Sequence, residues 1–526
     1  MRILGYHISN GIIANSDGEH TIEPPFLDFL LQPKTDTIKV FYHLGYNVAN
    51  LIKLINLTKE EAKRLHDTSK LRLPPYELTY PAGKSRFFSA KKGYYFGNPF
   101  ATFSDMSQYS PAELNEAETV ESCTAKAKLA KITGEIVYGA LAKLGCHPTS
   151  LTSPIKVFEK EYLKKLALAT VDDIPEEAGY YAYQCCDGNW LEAFQLGHWE
   201  QAWDYDINSA YPSEVAQLLD LKRGKWIESK EFIPEAAYGY CLGVVTIHAP
   251  FSPIFYHKEG KGFESTNYAV VGSWERCLTK KQIEFIEKWK LGGFEIKNGW
   301  WWNADERVKP LENTVKQLQT QKELSTGLER EVIKRTMAGI FGKFLQKIGG
   351  GLGEMFNPVY GAEVEVNTQL KVAEFALQNN VVPLQIAVDG MLLDKPAPTK
   401  VNPEMGDWKQ AATAPCIIAG TGAVAVKGRE QTGEFSLSYD WLKRCVEQEP
   451  AATVYKMSKW SPVTLAVALS MDKWDKLGSL QETTKTVDIG GEIKRCYRVA
   501  PKNGGELLDR HYESEPWDVS LVSKLT

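Results

Sequence analysis

Residues 202–213 read Ala-Trp-Asp-Tyr-Asp-Ile-Asn-Ser-Ala-Tyr-Pro-Ser, and this stretch limits the fold and chemistry of the chain more than any other. It opens as an apolar and aromatic strand. It then delivers an acid (Asp206), a hydroxyl (Ser209), an aromatic ring (Tyr211) and a proline (Pro212). Proline has no N–H to give a sheet ladder, so the strand must end before Pro212. A strand end of this make-up can hold a divalent cation on its carboxylate and shape a pocket beside it. Taken alone, Asp206 also reads as an ordinary strand-end acid, and Tyr211 as a core aromatic.

Two later segments give that strand end partners. The window 311–337 is polar, charged and free of proline, and predicts one helix. Between Lys316 and Lys347 stand seven basic residues (Lys316, Lys322, Arg330, Lys334, Arg335, Lys343 and Lys347) against three glutamates. Ammonium and guanidinium groups hold phosphate oxygens as charged donors, as a triphosphate site requires. Lys322 precedes Lys334 by just over three turns, which predicts both ammonium groups on roughly one helical face. The alternative is a solvated charged helix. The other segment, Leu384-Gln385-Ile386-Ala387-Val388-Asp389-Gly390-Met391-Leu392-Leu393-Asp394, reads as a β-hairpin with Asp389-Gly390 at its tip.

In this order the three segments resemble the polymerase motifs of family B DNA polymerases. The first matches D-x-x-S-(small)-Y-P. The second, 334–344, resembles K-x-x-x-N-S-x-Y-G followed by K-F. Lys334 and Gly342 match it, Ala338 and Gly339 replace Asn and Ser, and Phe341 replaces Tyr. The third resembles D-T-D-S, with Asp389 at the second acid, Ala387 in place of the first, and Gly390 in place of Ser. The resemblance implies two-metal phosphoryl transfer, in which alignment and charge neutralisation do most of the work. It implies Asp206 and Asp389 as catalytic carboxylates and metal ligands, with the Ile207 carbonyl as a third donor to Mg²⁺, which Mn²⁺ can replace. Lys334 and Lys322 would hold the triphosphate, together with Ser209. Tyr211 would lie under the sugar and exclude a 2′-hydroxyl, and Phe341 and Gly342 would face the nascent base pair. Lys343, Lys427 and Tyr183 are the expected DNA contacts. The partners implied are DNA template and primer, dNTPs and, as an open alternative, a priming protein.

Composition is compatible with this reading. A chain of 526 residues with 43% hydrophobic content is globular and long enough for two to four domains. No apolar span of membrane length is present, and the start Met1-Arg2-Ile3-Leu4-Gly5-Tyr6-His7 is too short and polar for a signal peptide. An intracellular, cytoplasmic protein without a membrane partner is therefore expected, in host cytoplasm if phage-encoded. The nine cysteines form no C-x-x-C or Cys/His zinc pattern, and free thiols fit a reducing compartment. A net charge of −5 argues against a wholly basic nucleic-acid binder, although a local groove, not the sum, sets the binding field. Lys258, Lys261, Lys280 and Lys281 supply a second basic patch.

The resemblance is to the compact protein-primed branch of phages, viruses and mobile plasmids, and the architecture it implies is an α+β right-hand polymerase (palm, fingers, thumb) behind a degenerate, ribonuclease H-like exonuclease domain. The expected domains are 1–150 (exonuclease-like), 151–305 (palm, first part, with an insertion), 306–345 (fingers), 346–424 (palm, second part) and 425–526 (thumb). A family exonuclease needs D-x-E on the first strand and further acids in a turn and a helix. Here the first strand carries Gly5-Tyr6-His7-Ile8, Asn47 stands where the turn acid belongs, and the predicted helix Ser122–Leu144 has no Y-x-x-x-D. Residues 148–154 read as a loop. Tyr180-Tyr181-Ala182-Tyr183 weakly resembles a template-binding Y-x-G-G region, with Cys185 and Cys186 at the glycines. Thr279 caps a predicted helix, Gly299-Trp300-Trp301-Trp302 reads as packing, 349–351 as a loop and 370–379 as a helix. The interval from Gly342 to Asp389 is short, so a second insertion of the strand-displacement type is reduced or absent. No clean K-x-Y motif occurs; Gly420-Thr421-Gly422 stands there, with Lys427 nearby. The expected function is a template-directed DNA polymerase without proofreading. The rivals are a primase-like or protein-primed initiator and an inactive nucleic-acid-binding relative.

Overall fold

The computed structural model describes residues 1–32, 37–81, 87–93, 100–107, 119–249, 251–258, 266–269, 271–348, 350–381, 383–398, 402, 404–420, 423–429, 437–448, 454–488, 495–497 and 514–516. Lys261 of the second basic patch, Gly349, Thr421 and Gly422 lie outside them. The chain forms two compact units. One comprises Met1–Lys165, Leu318–Met337 and Lys456–Lys485; the other comprises Leu166–Gln317, Ala338–Tyr455 and Thr486–Thr526.

The first unit is built on strands β1 (Arg2–Ser9), β2 (Ile12–Asn15), β3 (His20–Thr21), β4 (Thr37–Phe41), β5 (Lys70–Leu73), β6 (Tyr76–Thr79), β7 (Phe87–Lys92) and β8 (Phe100–Asp105). They make one mixed sheet in the order β3-β2-β1-β4-β8-β7-β6-β5, with β1, β4 and β8 parallel. Such central strands are buried on both faces and read as apolar runs; β1 is buried at every position after Arg2. Helices α1 (Phe26–Leu31), α2 (Leu44–Leu54), α3 (Lys59–Thr68), α4 (Val120–Lys143) and α5 (Pro154–Glu161) complete this part. The core gathers Tyr6, Phe41, Phe88 and Phe103, and Leu465, Ala468 and Leu477 join it from the 456–485 segment. Gly5 lets α4 lie on β1: a Cβ there would stand 1.8 Å from the Ala127 carbonyl oxygen.

Asn47 and His7, singled out in the sequence, are both buried in this unit. Asn47, fully buried on α2, accepts from the Ile8 N–H at 2.6 Å and donates to the Tyr42 and His43 carbonyls. His7 is buried on β1 and stacks on Tyr46, and among the described residues neither ring nitrogen has a hydrogen-bond partner. Burial, with Lys126 and His43 near, pushes its pKa down to about 3.

The second unit begins with α6 (Glu176–Gln184), β9 (Leu191–Ala193), β10 (Gly197–Ile207) and α7 (Ala210–Val215). A subsidiary sheet follows, made of β11 (Gly224–Glu228), β12 (Tyr238–Ile247), β15 (Gly272–Thr279) and β16 (Gly292–Ala304) in the order β11-β16-β12-β15. The hairpin β13 (Phe255–Lys258) and β14 (Thr266–Ala269) precedes β15, and α8 (Lys280–Lys288) follows it behind a Thr279–Gln282 capping box. Trp301 and Trp302 are fully buried, which agrees with packing.

Three element expectations are corrected. The single helix over 311–337 is two, α9 (Glu312–Leu324) and α10 (Gly327–Phe344). The break follows from Gly327, whose φ of +54 is left-handed and cannot continue a helix. Lys322 and Lys334 therefore lie on different helices and share no helical face; Lys322 is buried and Lys334 exposed. Of the three residues read as loop, Gly350 is a turn residue and Gly351 is the first residue of strand β18 (Gly351–Leu352), which pairs with β17 (Lys347–Ile348). The helix at 370–379 is the end of α11 (Pro358–Asn379). Its capping Asn357 starts it 12 residues early, and it is buried nearly all round, so no apolar stripe marks it.

The remaining strands are β19 (Gln385–Ala387), β20 (Gly390–Leu393), β21 (Trp408–Gly420) and β22 (Ala423–Val426), followed by α12 (Tyr439–Gln448). They join β9 and β10 in a six-stranded sheet of order β22-β21-β10-β20-β19-β9. β10 thus sits between the hairpin β19–β20 and the long strand β21. Among the described residues no helix is long and apolar enough to cross a membrane.

Candidate active site

Asp206 and Asp389 meet because β10 and β20 are antiparallel neighbours in a register that sets Asp206 opposite Gly390. The Ile207 N–H donates to the Asp389 carbonyl at 3.0 Å, which joins the end of one strand to the turn of the other. The hairpin tip differs from its sequence expectation by one residue. The two-residue turn is Val388-Asp389, and Gly390 is the first residue of β20, paired with Ala387. Gly390 is needed in the strand, because a Cβ there would lie 2.9 Å from the Tyr205 carbonyl oxygen. Val388 takes the left-handed turn position with φ +61, an uncommon conformation for a β-branched residue.

Strand alternation carries Asp204 to the same sheet face as Asp206, and the ladder brings Gly390, Leu392, Ala387 and Gln385 alongside. Asp204, Asp206, Ala387, Asp389 and Arg429 line one cleft of about 270 Å³. Asp204 is ion-paired with Arg429. Burial pushes its carboxyl above the usual range, against the pull of Arg429, and the Asp206 charge adds to the push. Lys409, opposite Asp206 on β21, lies 3.3 Å from its carboxylate.

Next to the acids, the turn 207–210 is pinned by backbone. The Asn208 N–H donates to the Asp407 carbonyl at 2.9 Å, and Ser209 adopts φ +54 to start α7. Tyr211 on α7 stacks on Phe341 with ring centres 4.6 Å apart and an interplanar angle of 19°. Its hydroxyl donates to Asn189 Oδ1 at 3.0 Å. Burial, and then the negative charges of Glu365 and Asp389, raise the Tyr211 pKa, so the phenol stays protonated.

The structure therefore brings together Asp206, Ile207, Ser209, Asp389, Tyr211 and Phe341, with Gly342 exposed beside Phe341. Other candidates have different surroundings. Lys343 is buried and donates to Gln346 at 3.0 Å. Tyr183 lies under the Lys347 ammonium, 4.4 Å from its ring centre. Lys427 is exposed, its ammonium 5.8 Å from the Tyr439 ring centre. Lys322 and Lys334 belong to the first unit. Sequence reasoning passed over Asp204, Arg429, Lys409, Asn189 and Glu365. Only Asp204 carried a signal, its spacing of two from Asp206 on a strand.

Among the described residues no group of three or more His, Cys, Asp or Glu side chains is arranged to hold a metal. Two carboxylates at the ends of neighbouring strands still fit Mg²⁺. That ion is usually held by one or two carboxylates and completed by waters and substrate phosphate.

No family profile matches the chain, and no curated protein matches it significantly. Solved structures do match. Phi29 DNA polymerase complexed with primer–template DNA and incoming nucleotide superposes at a TM-score of 0.60 with 12% identity, over 93% of this chain and 99% of that one. The same polymerase with single-stranded DNA gives 0.60 and 13%, over 93% and 100%. Its binary complex with primer–template gives 0.59 and 14%, over 93% and 100%. The chain has the fold of phi29 DNA polymerase over nearly its whole length.

Proposed function

We propose that this chain is a DNA-directed DNA polymerase of the protein-primed family B type, adding deoxynucleotides to a 3′ end without 3′–5′ proofreading. The observation that carries the reading is the register of β10 and β20. It sets Asp206 beside the Asp389 turn, next to the stacked Tyr211–Phe341 pair. Bound Mg²⁺ would supply charge neutralisation at the transferred phosphorus and activation of the primer 3′-oxygen. Asp206, Asp389 and the Ile207 carbonyl would hold it. Tyr211 and Phe341 would form the wall against sugar and base. The motif resemblance assigns the triphosphate to Lys334, which is exposed on α10, and to Lys322, which is buried. The absence of proofreading rests on His7 and Asn47. The first strand, where His7 lies, carries no acid, and Asn47, where the turn acid would stand, spends its amide on backbone.

The test is extension of a labelled primer–template with Mg²⁺ and dNTPs or NTPs, beside Asp206→Asn and Asp389→Asn. Extension lost in both variants, with thermal midpoints kept, is the expected result. Extension that persists in either variant overturns the assignment. One observation favours a rival, a non-catalytic DNA-binding relative: Ala387 replaces an acid, and Lys409 and Arg429 already neutralise Asp206 and Asp204. DNA binding with no incorporation under Mg²⁺ or Mn²⁺, with or without a supplied primer, would decide for it.

A further inference from the structure

The segment Gly188-Asn189-Trp190 belongs to none of the three motifs, yet it is bonded both to α11 and to the turn that carries Asp389. The Gly188 N–H donates to Glu365 Oε1 at 2.5 Å, and Gln369 Nε2 donates to the Gly188 carbonyl at 2.7 Å. Both partners are buried on α11. The Trp190 carbonyl accepts from the Val388 N–H at 2.8 Å, one residue before Asp389. Gly188 has φ +80, a left-handed turn position that favours glycine. Asn189 is thus mounted on backbone tied to the Asp389 turn, and its Oδ1 accepts from the Tyr211 hydroxyl.

Tyr211 is consequently held at two points. Phe341 fixes the plane of its ring but lets the ring slide; the bond to Asn189 stops the slide at the far end. A ring that excludes a single hydroxyl must be placed to within a fraction of an ångström, since steric discrimination falls steeply with distance. We propose that Asn189 is a positioning residue for nucleotide choice: by anchoring the Tyr211 hydroxyl it sets discrimination between deoxy- and ribonucleoside triphosphates. The proposal rests on reading the site as a polymerase.

The experiment measures kcat/KM for single insertion of a dNTP and the matching NTP, on one primer–template. The proteins are wild type, Asn189→Ala, Tyr211→Phe and the double variant. Tyr211→Phe keeps the ring and its stack and removes only the hydroxyl. Each single variant is expected to lower the dNTP/NTP ratio by the same factor, roughly three- to tenfold as for one hydrogen bond. The double variant is expected to lower it no further. A ratio unchanged in Asn189→Ala, or losses that multiply in the double variant, overturns the proposal. So does a wild type that incorporates both sugars equally. A purely structural role for Asn189 would lower both insertions together and leave the ratio alone, which also overturns it. A wild type that neither inserts nor binds triphosphate has a different signature: it refutes the polymerase reading itself, and the proposal with it.

Discussion

Replacing Gly390 with alanine tests whether the distance between β10 and β20 sets the site. The added methyl carbon would sit 2.9 Å from the Tyr205 carbonyl oxygen and 3.7 Å from both Asp206 Cα and Cβ. Ordinary contact begins near 3.4 Å, so β20 must retreat from β10 by about 0.5 Å. The obstacle is backbone, which no rotamer change can clear. Overpacking of this kind costs about 1–3 kcal/mol. The retreat also stretches the neighbouring 3.0 Å bond from the Ile207 N–H to the Asp389 carbonyl. Amide exchange at Ile207 should then quicken by roughly 5- to 150-fold, the same free energy expressed as local opening. Misplacement of reacting groups by 1 Å can cost about 100-fold in rate, so single-turnover extension should fall by about 10-fold or more. Gly293→Ala is the control, because among the described residues a Cβ there meets nothing within 4 Å. It should leave both measurements unchanged. Wild-type exchange at Ile207 together with wild-type extension in Gly390→Ala would refute the argument that strand spacing holds the two acids in place.

Glu365 is buried, and desolvation raises its pKa to about 7 from 4.5. Its neutral form favours the fold, so this stabilisation is full below pH 4.5 and is lost as pH rises to about 7, about 3 kcal/mol in all; Glu365→Gln should remove that decline from a urea series over pH 4.5–7.5. His7 acts in the opposite sense. With its pKa lowered from 6.5 to about 3, the stability its neutral form gives is present above pH 6.5 and falls by about 2 kcal/mol by pH 5. His7→Phe should flatten that acid limb while keeping a ring against Tyr46. Gly5→Ala should destabilise the first unit by more than about 3 kcal/mol, read from its thermal midpoint, since its Cβ would overlap the Ala127 carbonyl at 1.8 Å. Val388→Gly should raise the resistance of the hairpin to exchange or leave it unchanged, because relief of about 1–2 kcal/mol of left-handed strain opposes the entropy of glycine. A loss above 1 kcal/mol would show that the Val388 side chain, not the turn geometry, holds the hairpin.

The sequence alone determined the local items: a strand that ends before Pro212, a hairpin around Asp389, a basic helical segment between them, a first strand without an acid, and Asn47 in place of one. Each depends on the residue's own chemistry and on spacings of two or about four residues. The tertiary structure decided what depends on neighbours distant in the chain. Asp-Gly is a strong turn signal, yet Gly390 lies in the strand because β10 passes too close for any Cβ. α11 gives little periodic signal because it is buried on all sides and bonds its polar residues inward, including Glu365 to Gly188. Lys409 and Arg429 reach Asp206 and Asp204 only through sheet register and the turn after β22, relations no local window contains. Asn189 is an unremarked residue until the fold sets it against Tyr211, 22 positions further along the chain. The acids could be read from the chain because chemistry fixes their type. Their spacing, partners and charge could not, because the packing of separate strands fixes these.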